Sequence, residues 1–132
     1  MRLIGSDSQA SGAMTQVYDM HAHYNSLKQS GTWFKRSLIF QMANIGIEVE
    51  RIMDGRRKGD LENSKCALWR ALDLIWLTVE DPKNRKRLKE IVRMREVLLD
   101  YFMGDNVYKS TDKLWHDYFY AFCYAAALER GR

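Results

Sequence analysis

The chain has 132 residues, 46% apolar and 29% charged, and its Lys and Arg outnumber Asp and Glu by 21 to 17. That length and balance suit one folded domain with a real core and exclude wholesale disorder. No apolar run approaches the roughly 20 residues that a transmembrane helix needs.

Residues 1–13 hold Gly5, Ser6, Ser8, Ser11 and Gly12 without the apolar stretch of a signal peptide, and they read as a flexible leader. Met14 is a candidate internal start, and one helical domain is expected over 14–132. Thr15 to Gln29 predicts a short leading helix, with Val17, Met20, Tyr24 and Leu27 three or four apart. Ser30-Gly31-Thr32 breaks it. From Trp33 to Met53 a second stretch places Phe34, Leu38, Met42, Ile45, Val49 and Ile52 on one stripe, ending at Asp54-Gly55.

Gly59-Asp60 opens a helix over about Leu61 to Val79. Leu61, Leu68, Leu72, Ile75 and Val79 share one of its faces, flanked by Trp69 and Trp76. Asp81-Pro82 pairs an N-cap carboxylate with proline at the first helical position, so the next helix is expected from Pro82 to about Met103. Its inward residues are Leu88, Ile91, Val92, Leu98, Leu99 and Phe102. Gly104-Asp105-Asn106 stops it. Ser110-Thr111-Asp112 caps the last helix, where Leu114, Trp115, Tyr118, Phe119, Phe122, Ala125 and Leu128 form an apolar arc. The expected fold is all-α: an up-down four-helix bundle with an additional N-terminal helical segment.

Chemical motifs fail one by one. There is no phosphate-cradling glycine loop, no dinucleotide fingerprint, no nucleophile elbow, and no His or Cys spacing suited to a metal. No cofactor and no catalytic residue are assigned, and a non-enzyme is expected. Cys66 and Cys123 read as buried or half-buried free thiols in helical segments, with a lone bridge between them as the alternative, and the cytoplasm is the default compartment. His21 and His23 stand two apart, so on a helix they point away from each other and cannot share a metal. His116 has Asp112 one turn before it and Tyr120 one turn after. Such a row either orients an imidazole for general-base work or is a local hydrogen bond on a half-exposed face.

The main electrostatic feature is the run Lys83, Arg85, Lys86, Arg87, Lys89, Arg93, Arg95. Lys86, Lys89 and Arg93 share an outward face, with Arg85 at its edge. Arg56-Arg57-Lys58 forms a second cluster, expected in a loop. Charge of this kind neutralises phosphates and releases counterions, so RNA or DNA is a candidate partner; a merely solvated face is the competing reading. Arg95 projects into the apolar arc of its helix, which predicts either a buried ion pair, with Glu48 as the favoured partner, or an anion pocket. Phe40 and Ile47 on one helix, and Tyr120 and Tyr124 on another, lie outside the main apolar stripes. They predict a homo-oligomer interface.

The segment Gln41-Met-Ala-Asn-Ile-Gly-Ile-Glu48, then Arg51, then Ala67-Leu68 and Ala71-Leu72, resembles the four-helix-bundle family of ribosomal-RNA intervening-sequence proteins. That family includes the accessory variability determinant of diversity-generating retroelements. The resemblance spans about forty residues of the 132, with Gly46-Ile47 intervening before Glu48. It implies a basic oligomer serving nucleic acid or a nucleic-acid enzyme. A second resemblance is to the HEPN superfamily of helical bundles. Its active nucleases carry an arginine five to seven positions before a histidine, and no histidine here has one.

Together these readings predict a non-enzymatic, oligomeric accessory or binding module. It would contact nucleic acid or a partner enzyme through Arg56, Arg57, Lys58, Lys86, Lys89 and Arg93, without membrane association. Two alternatives stand beside it: a bundle binding a small anion or molecule near Arg95 and Glu48, and a protein–protein adaptor.

Overall fold

Short polar side chains start the helices. Ser37 Oγ accepts a hydrogen bond from the Phe40 N–H at 3.1 Å, Asp60 Oδ1 from Asn63 at 3.3 Å, and Thr111 Oγ1 from Leu114 at 3.1 Å. The computed structural model describes residues 24–131, and within them these caps open α1 (Leu38–Lys58), α2 (Leu61–Glu80) and α4 (Asp112–Arg130). Between α2 and α4 runs α3 (Leu88–Met103). Residues 24–30 are also helical, and 3₁₀ helices cover Trp33–Lys35 and Pro82–Arg87. Among the described residues there is no strand, so the fold is an all-α bundle. No described helix is long and apolar enough to cross a membrane. The leader, Met14, Val17, Met20, His21 and His23 lie outside the described residues.

Three boundaries differ from expectation. Trp33–Lys35 is a separate 3₁₀ turn, and α1 starts only at Leu38. Asp54-Gly55 does not end α1. The helix runs on to Lys58 and stops at Gly59, whose φ of 75° is the left-handed conformation that glycine adopts without steric penalty. Asp81-Pro82 does start a helix, with Asp81 accepting from the Lys83 N–H at 3.2 Å, but the first six residues are 3₁₀ and the α-helix begins at Leu88.

Helix α1 is the centre of the bundle. Gly55 abuts Ser64, Ser64 Oγ donates to the Ile52 carbonyl at 2.9 Å, and Arg70 reaches Glu48, so α2 runs antiparallel to α1. Ser37 bonds Glu129 at 2.9 Å, Gly46 abuts Phe119, and Arg57 bonds Asp112 at 3.1 Å, so α4 is antiparallel to α1 as well. The core joins Met42, Ile45, Val49 and Met53 of α1 to Leu74, Ile75 and Leu77 of α2, Ile91, Met94 and Leu98 of α3, and Trp115 and Phe119 of α4. On α2 the small residues Ser64, Ala67 and Ala71 face inward. Leu61, Trp69 and Trp76 are exposed, so the sequence stripe was rotated towards bulkier side chains.

One end of the bundle is tied by buried polar groups. The fully buried Gln41 donates to the Trp33 carbonyl at 3.0 Å and to Asp81 Oδ2 at 2.8 Å, and it accepts from Asn84 Nδ2 at 2.9 Å. Asn84 also donates to the Thr78 carbonyl at 3.0 Å, and Trp33 Nε1 donates to Thr78 Oγ1 at 3.1 Å. Lys83 Nζ bridges Asp81 and the Phe34 carbonyl. Burial by itself raises the Asp81 pKa. The hydrogen bonds from Lys83 and Gln41 outweigh burial and hold the carboxyl below its usual range.

Gly46 sets how closely α4 approaches α1. A Cβ there would lie 2.6 Å from the Phe119 Cβ. In an exposed helix interior, glycine to alanine gains about 1 kcal/mol. At Gly46 the sign is expected to reverse, with Gly46→Ala lowering the unfolding free energy by about 1–3 kcal/mol in urea titrations. Unchanged or increased stability would show that α4 is not held at this distance.

Candidate binding surfaces

The two basic clusters lie at opposite ends of α3, about 20 Å apart by helical rise. Arg56, Arg57 and Lys58 do not form a loop. They occupy the last turn of α1, where cations complement the free carbonyls of a helix end. Their charges also have local partners. Arg57 pairs with Asp112 at 3.1 Å, Lys58 pairs with Asp54 at 3.0 Å, and the Arg56 guanidinium lies 5.2 Å from the rings of both Tyr101 and Phe102.

The α3 cluster is different. Asn84 is buried in the polar network, so the chain on either side of it turns outward and exposes Arg85 and Lys86. Lys89 and Arg93 continue that face along the helix. Among the described residues, Arg85, Lys86 and Lys89 have no carboxylate within ion-pair distance. The nearby Glu90 is taken by Arg87 at 2.9 Å. Arg93 rests 5.1 Å from the centre of the Tyr108 ring. These cations line an open depression of about 850 Å³ together with the exposed Leu88 and Val92 and the carboxylates Glu90 and Glu96.

Arg95 and Glu48 are not brought together. The inward stripe of α3 is Ile91, Met94 and Leu98, whereas Val92 is exposed and Arg95 is half-buried at the stripe's edge. The sequence projection overweighted Leu88, Val92 and Leu99 and missed Met94, which placed Arg95 at the centre. Glu48 is buried, and its two oxygens accept from Arg70 at 3.1 Å and Arg51 at 3.0 Å. Arg51 was legible as an i+3 partner. Arg70 needed the register of α2 against α1.

His116 gains a different acid from the one in its row. Asp112 is engaged by Arg57 and by the Tyr101 hydroxyl at 2.6 Å, while His116 Nδ1 lies 2.6 Å from Glu50 of α1. Tyr120 contributes only its ring, 6.0 Å from the imidazole. The pair is largely solvent-exposed, which makes it a surface clasp between helices. No disulfide joins Cys66 and Cys123. Cys66 is half-buried but Cys123 is exposed, and burial of the sulfur raises the Cys123 pKa. Among the described residues, no three His, Cys, Asp or Glu side chains are grouped as a metal site requires.

The four interface candidates lie along one side of the α1–α4 seam. The Glu50–His116 clasp and the Cys123–Ala43 carbonyl contact mark that side. By helical spacing, Ile47 falls between Ala43 and Glu50, and Tyr120 between His116 and Cys123. Ile47, Tyr120 and Tyr124 are 44%, 60% and 59% exposed. Phe40 is half-buried beneath the Arg36 guanidinium, 4.4 Å away.

Compared with family models, curated proteins and solved structures, the chain matches none. Function therefore has to be read from these surfaces. The pairing of Glu48 gives a direct check on the geometry. Glu48→Gln is expected to lower stability by about 1–2 kcal/mol, while Arg95→Met stays within about 0.5 kcal/mol of the parent. Equal losses in chemical denaturation would contradict the assignment of partners.

Proposed function

We propose that the chain is a non-enzymatic, self-associating helical module that docks on nucleic acid through the outer face of α3. One observation carries the reading: Arg85, Lys86 and Lys89 stand exposed without carboxylate partners, whereas Arg57 and Lys58 are already paired. Phosphate oxygens supply the missing anions, and counterion release drives the association. The likeness of residues 41–48 to ribosomal-RNA intervening-sequence proteins points the same way. Arg56, Arg57 and Lys58 are secondary contacts in this reading.

The expected result is binding to a short RNA or DNA duplex whose affinity falls steeply with salt. On a duplex, each lysine of the pair Lys86→Gln and Lys89→Gln should flatten the log–log salt slope by about 0.9. Lys65→Gln, at an exposed site on α2, should leave it unchanged. Indifference to both nucleic acids at low salt would defeat the proposal.

The exposed tyrosines and Ile47 along the α1–α4 seam favour self-association on the opposite face. Sedimentation should show a dimer or larger species that Ile47→Lys with Tyr120→Lys converts to monomer. A parent chain that is monomeric at micromolar concentration would remove this part.

A further inference from the structure

The basic face of α3 runs up against an aromatic ring. Tyr108, in the segment joining α3 to α4, is 44% exposed, and the Arg93 guanidinium lies 5.1 Å from its ring centre. The Tyr108 hydroxyl donates to Glu96 Oε2 at 3.4 Å. Trp69, Trp76, Tyr120 and Tyr124 are exposed as well, but of these five rings Tyr108 is the one in contact with a cation of the α3 face. Lys109 follows it, exposed and without a carboxylate at ion-pair distance among the described residues.

The ring is presented from a fixed backbone. Asp100 accepts from the Val107 and Tyr108 N–H groups at 2.9 and 3.0 Å, and Asn106 Oδ1 accepts from the Ser110 N–H at 2.7 Å. The Lys109 N–H donates to the Asn106 carbonyl at 3.1 Å. Asn106 and Lys109 both have positive φ, 55° and 57°. That conformation is uncommon for a lysine, and the bonds around it hold it in place. A ring ordered in advance loses little freedom when a ligand stacks on it.

Cations for phosphate beside a ring for a base are the two parts of a single-strand site. A base can stack on such a ring only when it is free of its pairing partner, which a duplex does not offer. The carboxylates on this surface point the same way. Glu90 is engaged by Arg87 at 2.9 and 3.1 Å, and Glu96 accepts from the Tyr108 hydroxyl. Their charge opposes a second row of phosphates but not a neutral base.

We infer that the α3 face takes single-stranded RNA or DNA in preference to duplex, with phosphates on Arg85, Lys86 and Lys89 and one unpaired base stacked on Tyr108 beside Arg93. This rests on the nucleic-acid reading of that face and names the form of nucleic acid it takes.

The test measures the affinity of the full chain for oligothymidylate and for its duplex with oligoadenylate, across a salt series. The parent should bind the single strand more tightly. Tyr108→Leu should weaken single-strand binding roughly fivefold to a hundredfold, the worth of one stacked base. Its salt slope should not change, because no phosphate contact is lost. Its duplex affinity should stay that of the parent. Tyr108→Phe keeps the ring and loses the bond to Glu96, and it should bind the strand as the parent does. Four results would overturn the inference: a parent that prefers duplex, full single-strand affinity in Tyr108→Leu, equal losses on strand and duplex, or a loss in Tyr108→Phe as large as in Tyr108→Leu. In each of them the basic face still holds nucleic acid. Absence of binding to strand and duplex alike at low salt instead removes the nucleic-acid reading, and the stacking site with it.

Discussion

The bundle depends on the burial of one amide. Gln41 has no solvent exposure, and its donors and its acceptor are all satisfied, by Trp33, Asp81 and Asn84. Those three residues belong to different segments, so the bonds can all form only when α1, the end of α2 and both 3₁₀ helices are in place together. A buried amide left without partners costs about 1–3 kcal/mol, which makes any alternative docking of these segments expensive. The network also has a surface consequence. Holding Asn84 inward turns Arg85 and Lys86 outward, so the start of the basic face is fixed from within the core.

Close packing on two faces of α1 leaves room elsewhere in the bundle. Gly46 brings α4 against α1, and Gly55 with Ser64 brings α2 against it. Helix α3 stays farther from α4 than α1 does. An open groove lined by Trp115 and Tyr118 lies between them. The basic face and this groove are thus adjoining surfaces of the same helix, with Glu90 and Arg93 lining both. The apolar seam with Ile47 and Tyr120 belongs to the α1–α4 pair instead.

Features set by neighbouring residues were legible in the sequence. Asp60, Asp81-Pro82 and Thr111 announced helix starts because a cap is a contact over three residues. The α1 stripe of Met42, Ile45, Val49 and Ile52 was read directly from spacing. Features set by the meeting of distant segments were not legible. Glu48 chose Arg70 over Arg95 because the α1–α2 register, anchored by Gly55 on Ser64, puts Arg70 opposite it. Projection by hydrophobic weight failed on α2, where Ser64, Ala67 and Ala71 face inward because α1 approaches too closely for leucine. The burial of Gln41 carried no signal, since a glutamine in a helix is ordinarily a solvated residue. The cationic character of α3 was visible, but that Arg85, Lys86 and Lys89 have no carboxylate within ion-pair distance, with Glu90 drawn to Arg87, required the fold.

A double-mutant cycle between Gln41 and Asn84 tests the role of this network most directly. Each residue is replaced by leucine, singly and together, and unfolding free energies are measured in urea. Shared satisfaction of the two amides predicts a coupling of at least about 1 kcal/mol, with the double variant less damaged than the sum of the singles. Additivity within about 0.3–0.5 kcal/mol would mean that the two amides act independently and that the bundle end is held by something else.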